Sequence, residues 1–223
     1  MTDRISPAQF LESAGLEDWR VVGSDGACAY FPTSSFAESA RLVQAIGDLA
    51  GVDGHQVAID VRKDGVTVSL ITIARDYMGM SLRDVELAHQ ISAAARALGL
   101  AADPAKVQSF LVIPGATDTA AVMPFWRAVL GYEPRLDSPD EDLVDPRGRG
   151  PGFWFEPMKE PRPGGGGAIH IAVWVPYEQA EARVAAALAA GGRLVRDEFA
   201  PSWWTLADAA GNEVDIATVK GRG

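Results

Sequence analysis

The sequence predicts an α+β chain of two modules in tandem, and three observations carry that prediction. Over residues 1–103 the apolar pattern switches between helical and strand periods in the order α-β-β-α-β-β-α. The run Gly99-Leu100-Ala101-Ala102-Asp103-Pro104 then breaks the pattern with a helix exit, small residues and a proline. Beyond it, a βαβββ pattern runs twice with a period of about 60 residues. The first module (1–103) is therefore expected to hold a four-stranded antiparallel sheet with helices on one face. The second (104–223) is expected to pair its two units around a cup.

Each element has its own signal. Residues 7–15 predict a short helix with Phe10, Leu11 and Ala14 inward. Residues 19–22 and 27–31 predict strands about the turn Gly23-Ser24-Asp25-Gly26. A helix from Ser35 places Phe36, Ala40, Val43, Ile46 and Leu49 on one face. Residues 55–61 and 66–73 alternate as strands around Lys63-Asp64-Gly65. Ser81, with Asp84 three positions on, opens a helix to Leu98 whose inward face is Leu82, Val85, Ala88, Ile91 and Ala95.

In the second module the first copy reads strand (107–113), helix (119–130), Gly131, then three strands ending at 153–156. The second copy reads strand (168–175), helix (178–190), Gly191-Gly192, then three strands ending at 213–218. Asp145-Pro146-Arg147-Gly148 and Asp208-Ala209-Ala210-Gly211 precede the last strand of each copy. Pro161-Arg162-Pro163 and the four glycines after it read as a flexible crossover between copies.

Composition narrows the function. Hydrophobic residues make up 48% of the chain, enough for a real core, and the net charge is −10. Both modules are acidic and neither has a Lys/Arg run, which argues against nucleic acid as a partner. Cys28 is the only cysteine and lies in the apolar run Ala27-Cys28-Ala29-Tyr30-Phe31, where a buried, inert thiol is expected. The N-terminus leads into no apolar signal region and no stretch approaches a membrane span, so a cytoplasmic protein without membrane contact is expected.

Strand alternation nominates a site in the second module. In residues 168–175, His170, Ala172 and Trp174 share the expected cup face. Glu213, Asp215 and Ala217 share one face of the last strand. Trp154, Glu156 and Met158, and Gln108, Phe110 and Val112, are expected to face the cup from the first copy. Gln108, Glu156, His170 and Asp215 would then form a mixed N/O set suited to one divalent metal, whether Mn, Fe, Ni, Zn or Mg. Phe110, Trp154 and Trp174, with Glu213 beside them, would line a substrate surface. Glu156 is equally readable as a rim residue paired with Arg162.

These motifs resemble the glyoxalase / bleomycin-resistance / dioxygenase group, the vicinal-oxygen-chelate superfamily. Phe125-Trp126-x-x-x-Leu130-Gly131-Tyr132, Ile169-His170-Ile171-Ala172-Val173 and Asp208-x-x-Gly211-Asn212-Glu213-Val214-Asp215 carry the likeness in the expected order. The resemblance implies metal ligation at Gln108, Glu156, His170 and Asp215. Asp215 departs from the commoner, longer Glu, with Glu213 on the same face.

Residues 16–98 resemble pterin-4a-carbinolamine dehydratase. The likeness rests on Leu16-Glu17-Asp18-Trp19, the helix over 36–49, Gly54-His55-Gln56, the strand over 66–73 and Met80-Ser81-Leu82-Arg83-Asp84. The family's signature is two adjacent histidines followed by proline, with a third histidine after the next strand. Here His55 keeps the first, while Gln56, Val57 and Ile73 stand at the other positions. The resemblance implies His55 and Asp84 as site residues, a pterin as substrate or ligand, and a homodimer. Gln and Ile do not cycle protons near neutral pH.

Three functions stay open on the sequence. The cup is a metal-assisted lyase, isomerase or dioxygenase-type site beside a scaffold module. Alternatively the protein binds a pterin or aromatic small molecule without turnover, or it is a 4a-hydroxytetrahydrobiopterin dehydratase working through His55.

Overall fold

The computed structural model describes residues 4–23, 26–160, 169–207 and 213–221. They gather into two compact units that divide between Val107 and Gln108. Both mix helices with sheets, so the chain is α+β.

The first unit contains β1 (Arg4–Ile5), α1 (Pro7–Glu12), β2 (Arg20–Val21), β3 (Ala27–Pro32), α2 (Phe36–Gly47), β4 (Gln56–Arg62), β5 (Gly65–Ala74), β6 (Tyr77–Ser81) and α3 (Leu82–Ala97). The sheet runs β1-β6-β5-β3-β2, with β4 also paired to β5, and every pairing is antiparallel. The four expected strands are β2 to β5. The sheet has two further strands that the sequence pattern does not predict, the two-residue β1, too short to show a period, and the five-residue β6, which leads directly into α3.

In β5 the alternation is clean: Val66, Val68, Leu70 and Thr72 are all buried. Trp19 is fully buried, and its indole N–H donates to Ser92 Oγ on α3 at 3.0 Å. Ser24 and Asp25 of the expected β2–β3 turn lie outside the described residues, but Gly26 shows why a glycine is needed there. Its φ is +78°, and a Cβ would sit 2.2 Å from the Leu70 carbonyl oxygen.

The helix faces depart from expectation in an instructive way. On α2 the buried stripe is Ser39, Leu42 and Ile46, while Phe36 and Ala40 are exposed. A polar member hides that stripe from a hydrophobicity count, yet Ser39 is satisfied by hydrogen bonds with Thr33 Oγ1 (2.7 Å) and Arg62 O (3.3 Å). On α3 the buried set is Asp84, Leu87, Ala88, Ile91, Ser92 and Ala95, and Leu82 is exposed. On α1 only Phe10 is buried; Leu11 is exposed, as is Ala14, which lies beyond the helix end at Glu12.

The second unit contains β7 (Ser109–Ala116), α4 (Thr119–Leu130), β8 (Glu133–Pro134), β9 (Asp142–Val144), β10 (Gly152–Trp154) and β11 (Glu156–Pro157). It continues with β12 (Ile169–Trp174), α5 (Tyr177–Ala189), β13 (Arg193–Arg196), β14 (Trp203–Ala207) and β15 (Glu213–Ala217). The sheet order is β13-β14-β15-β12-β7-β10-β9-β8, with β11 on β7. The first strands of the two copies, β7 and β12, meet antiparallel at the centre. Each is parallel to the closing strands of its own copy, β7 to β10 and β11, and β12 to β15. The expected duplication is thus visible as a two-fold arrangement about the β7–β12 ladder.

Both helices cover the same face of this sheet. Val112 and Phe153 pack with Met123, Trp126, Leu130 and Tyr132 under α4. Val173, Val175, Leu206, Val214 and Ile216 pack with Ala180 and Val184 of α5. Trp126, Leu130 and Tyr132 of the aromatic-Leu-Gly motif therefore serve the core. Gly131 ends α4 in the left-handed region at φ 67°, ψ 30°.

Candidate functional site

Two polar constellations stand out, one in each unit. The first forms where the N-terminus of α3 meets the starts of β4 and the end of β5. Ser81 and Asp84 build the capping box that starts α3, so helix entry itself fixes the Asp84 carboxylate. Asp84 Oδ2 accepts from Ser81 N (2.6 Å), Ser81 Oγ (2.9 Å) and Thr72 Oγ1 (2.7 Å). Asp84 Oδ1 lies 2.6 Å from His55 Nε2, with the two side chains 0% and 4% exposed. Burial alone would push the Asp84 carboxyl up. The hydrogen bonds from His55, Thr72 and Ser81 and the attraction of His55 outweigh it, and the carboxyl is held below its ordinary 3.8.

This dyad opens on a cavity of about 380 Å³ lined by Asp53, Gly54, His55, Gln56, Thr72, Ile73, Ser81 and Arg83. Gln56 and Ile73 share the cavity with His55. Arg83 is tied down by a 2.9 Å bond from Nη2 to Gly51 O. Thr72 is the residue that sequence reasoning missed. Its signal was a hydroxyl on the buried side of a strand whose other inward residues are apolar, a place that demands a partner.

The second constellation lies on the face of the second sheet away from α4 and α5. Strand register maps it. His170 is opposite Ile113, Ala172 opposite Leu111 and Trp174 opposite Ser109, while Ala172 also aligns with Asp215 and Asp215 with Thr205. His170, Trp174, Asp215, Glu213, Trp154 and Glu156 therefore share the cup face. Trp203 joins them, stacked on Phe199 at 4.3 Å. His170 Nε2 is 3.2 Å from Asp215 Oδ2, and Thr205 Oγ1 donates to Asp215 Oδ1 at 2.6 Å. All three residues are buried. Thr205 was not singled out from sequence, although it sits directly across from Asp215.

The same register corrects the first copy. Phe110 pairs with Val173 and Val112 with Ile171, so Gln108, Phe110 and Val112 belong to the helix-bearing face, not the cup. Gln108 Oε1 accepts from Arg183 of α5 at 2.8 Å, and Phe110 is 46% exposed there. The strand's cup face is instead Ser109, Leu111 and Ile113. A one-residue parity error inverts every side chain of a strand, and the apolar run Phe110 to Ile113 has no alternation to fix it. Glu213 is 3.8 Å from Arg196. Arg162, considered as a partner for Glu156, lies outside the described residues, as do Asp208, Gly211 and Asn212.

These residues do not fit the divalent metal that the sequence suggested. Of the four nominated ligands, His170 contacts Asp215, Gln108 faces away and accepts from Arg183, and both Asp215 oxygens already accept hydrogen bonds. Among the described residues no group of three or more His, Cys, Asp or Glu side chains is placed to hold a metal.

Residues 3–94 match the family model of pterin 4 alpha carbinolamine dehydratase, and residues 111–217 match that of a glyoxalase-like domain. The chain joins a dehydratase-like module to a glyoxalase-like one. Among solved structures, a glyoxalase/bleomycin resistance protein/dioxygenase superfamily member from Vibrio splendidus is similar at 17% identity. That match covers 50% of this chain and 99% of the other, with a TM-score of 0.32. A protein from Agrobacterium tumefaciens, solved by NMR, is similar at 23% identity over 48% of this chain and 93% of its own, with a TM-score of 0.20. No curated protein matches the chain significantly. No helix among the described residues is long and apolar enough to cross a membrane.

The dehydratase-like module thus presents one buried histidine held by a carboxylate at an open cavity. The glyoxalase-like module presents a closed His–Asp–Thr chain on an aromatic-flanked floor.

Proposed function

We propose that the dehydratase-like module is a proton-transfer site for a small hydroxylated heterocycle of the pterin type, with His55 as acid and base and Asp84 as its positioning group. The observation that carries this reading is the 2.6 Å His55–Asp84 contact on the wall of the 380 Å³ cavity. A charged carboxylate fixes the ring orientation and stabilises the imidazolium, as in other histidine–carboxylate pairs. The bond to Asp84 uses Nε2, which leaves Nδ1 for the substrate. In the dehydration, the carbinolamine hydroxyl takes a proton from His55 and departs as water. The neighbouring ring N–H returns a proton to His55, and a C=N bond forms.

A second reading is favoured by Gln56 and Ile73 lining the same cavity. Neither cycles a proton, so the cavity would hold a pterin-like ligand without turnover. One experiment separates the two: the rate of dehydration of a 4a-hydroxytetrahydropterin with and without protein, alongside calorimetric binding of the dehydrated pterin product. Acceleration lost by about 10²-fold in His55→Ala and retained in His89→Ala supports catalysis. Pterin binding without acceleration supports the second reading, and neither binding nor acceleration overturns both.

A further inference from the structure

We infer that the cup of the glyoxalase-like module binds an aromatic ligand carrying a hydroxyl or ring N–H, captured by His170 directly and without a metal. Three observations lead there. Asp215 is held from both sides, by Thr205 at Oδ1 and by His170 at Oδ2, so it serves as an internal anchor. A carboxylate only accepts hydrogen bonds, which assigns the proton to His170 Nε2. In the neutral ring Nδ1 then offers a lone pair.

That lone pair is the second observation. His170 is 6% exposed, and its Nδ1 is buried with no hydrogen-bond partner among the described residues. Buried polar atoms are rarely left unpaired, and one beside a satisfied His–Asp–Thr chain is a standing demand for a donor. A metal does not answer it. The first strand offers Ser109, Leu111 and Ile113 to the cup, and Gln108 is bound to Arg183 on the other side of the sheet.

The third observation is the floor around His170. Phe153 pairs with Val112 in parallel register, so the next step along both strands brings Trp154 level with Ile113, the partner of His170. Trp154 is then two strand spacings or about 10 Å from His170. Trp174 lies on the same face of β12, four residues along or about 13 Å. Indoles at those two positions on one face would offer a planar ring surfaces to stack on or pack against edge-on. A ligand with a hydroxyl or N–H on that ring meets both requirements at once.

The test uses full-length protein freed of metal with EDTA, titrated calorimetrically with 4-nitrophenol and with its methyl ether, 4-nitroanisole. The ether keeps the ring and lacks the donor. The phenol should bind, and the ether should bind about tenfold more weakly. His170→Ala should erase the difference. Asp215→Asn keeps the shape while its amide can donate to Nε2, moving the ring proton to Nδ1, so it should remove or reverse the phenol preference. Circular dichroism of each variant confirms folding, and Asp215→Asn serves as the test should His170→Ala fail to fold. The inference is overturned by equal binding of phenol and ether, by no binding of either at millimolar concentration, or by a preference that both variants retain. Stoichiometric Mn, Fe, Ni or Zn binding that His170→Ala abolishes overturns it too.

Discussion

Asp84 Oδ1 sits 2.6 Å from His55 Nε2, while the other oxygen of the same carboxylate closes the capping box of α3. One side chain therefore starts a helix and orients a histidine. Stability and site geometry are coupled at this residue, and the coupling can be measured.

Replacing Asp84 should separate shape from charge. Asp84→Ala leaves Ser81 N–H, two hydroxyls and His55 without their acceptor in a fully buried position. The loss should reach about 3 kcal/mol or more, since each unpaired buried group costs about 1–3 kcal/mol and a lost cap about 1. Asp84→Asn retains one acceptor oxygen and should lose about half as much. Urea denaturation at neutral pH reads both, and equal stability of Ala and Asn variants would contradict the network.

Acid should act through the same group. The folded Asp84 carboxyl is held below 3.8, so between that value and its folded pKa the unfolded chain binds more protons. Its contribution is present above about pH 4 and is lost as pH falls through the folded pKa. Asp145 behaves alike. Its carboxyl accepts from the backbone of Arg147, and burial opposing that bond is outweighed with the help of Gly150 and Arg149, placing it at about 2. Denaturation midpoints from pH 6 downwards should fall less steeply in Asp84→Asn than in the natural protein, and carboxyl NMR titration should find Asp145 still ionised at about pH 3.

Much of this was legible in the sequence because it is periodic or punctuated. Helix α4 begins and ends where residues 119–130 and Gly131 predicted, and the doubled βαβββ pattern became the ladder of β7 on β12. What escaped was parity and partnership. The sequence pattern puts Gln108 and Phe110 on the cup face because an unbroken apolar strand has no inherent inside. Ser39, Thr72 and Thr205 carry no hydrophobic signal in the sequence because a buried hydroxyl looks like surface until its partner is known. The His55–Asp84 pair spans 29 positions, and only the fold joins it.

Two glycines test backbone against packing. Gly131 has φ +67° with open space around its Cβ position, so Gly131→Ala meets only left-handed strain, about 1 kcal/mol. At Gly26 the φ is +78° and the added carbon would strike Leu70 O at 2.2 Å. The β2–β3 edge must then move away from β5, so Gly26→Ala should cost well over about 2 kcal/mol. Thermal melts of the two variants should differ clearly, and similar losses would contradict the close approach.

Restoring proton-transfer groups offers the most direct check on the dehydratase-like cavity. Gln56 and Ile73 line it beside His55, and Ile73 is 38% exposed, so an imidazole there displaces no core side chain. Gln56→His supplies a second group able to take the ring N–H proton while His55 serves the leaving hydroxyl. Ile73→His adds a third on the adjoining strand. A positioned acid or base is worth about 10²–10⁴-fold, so the double variant should dehydrate the carbinolamine at least about 10²-fold faster than the natural protein. The gain must vanish when His55→Ala is added, because the new groups assist a proton path that still begins at the Asp84-held ring. A double variant that folds, binds the pterin and shows no gain would mean that the cavity holds its ligand in an orientation unsuited to dehydration. The binding reading would then stand alone.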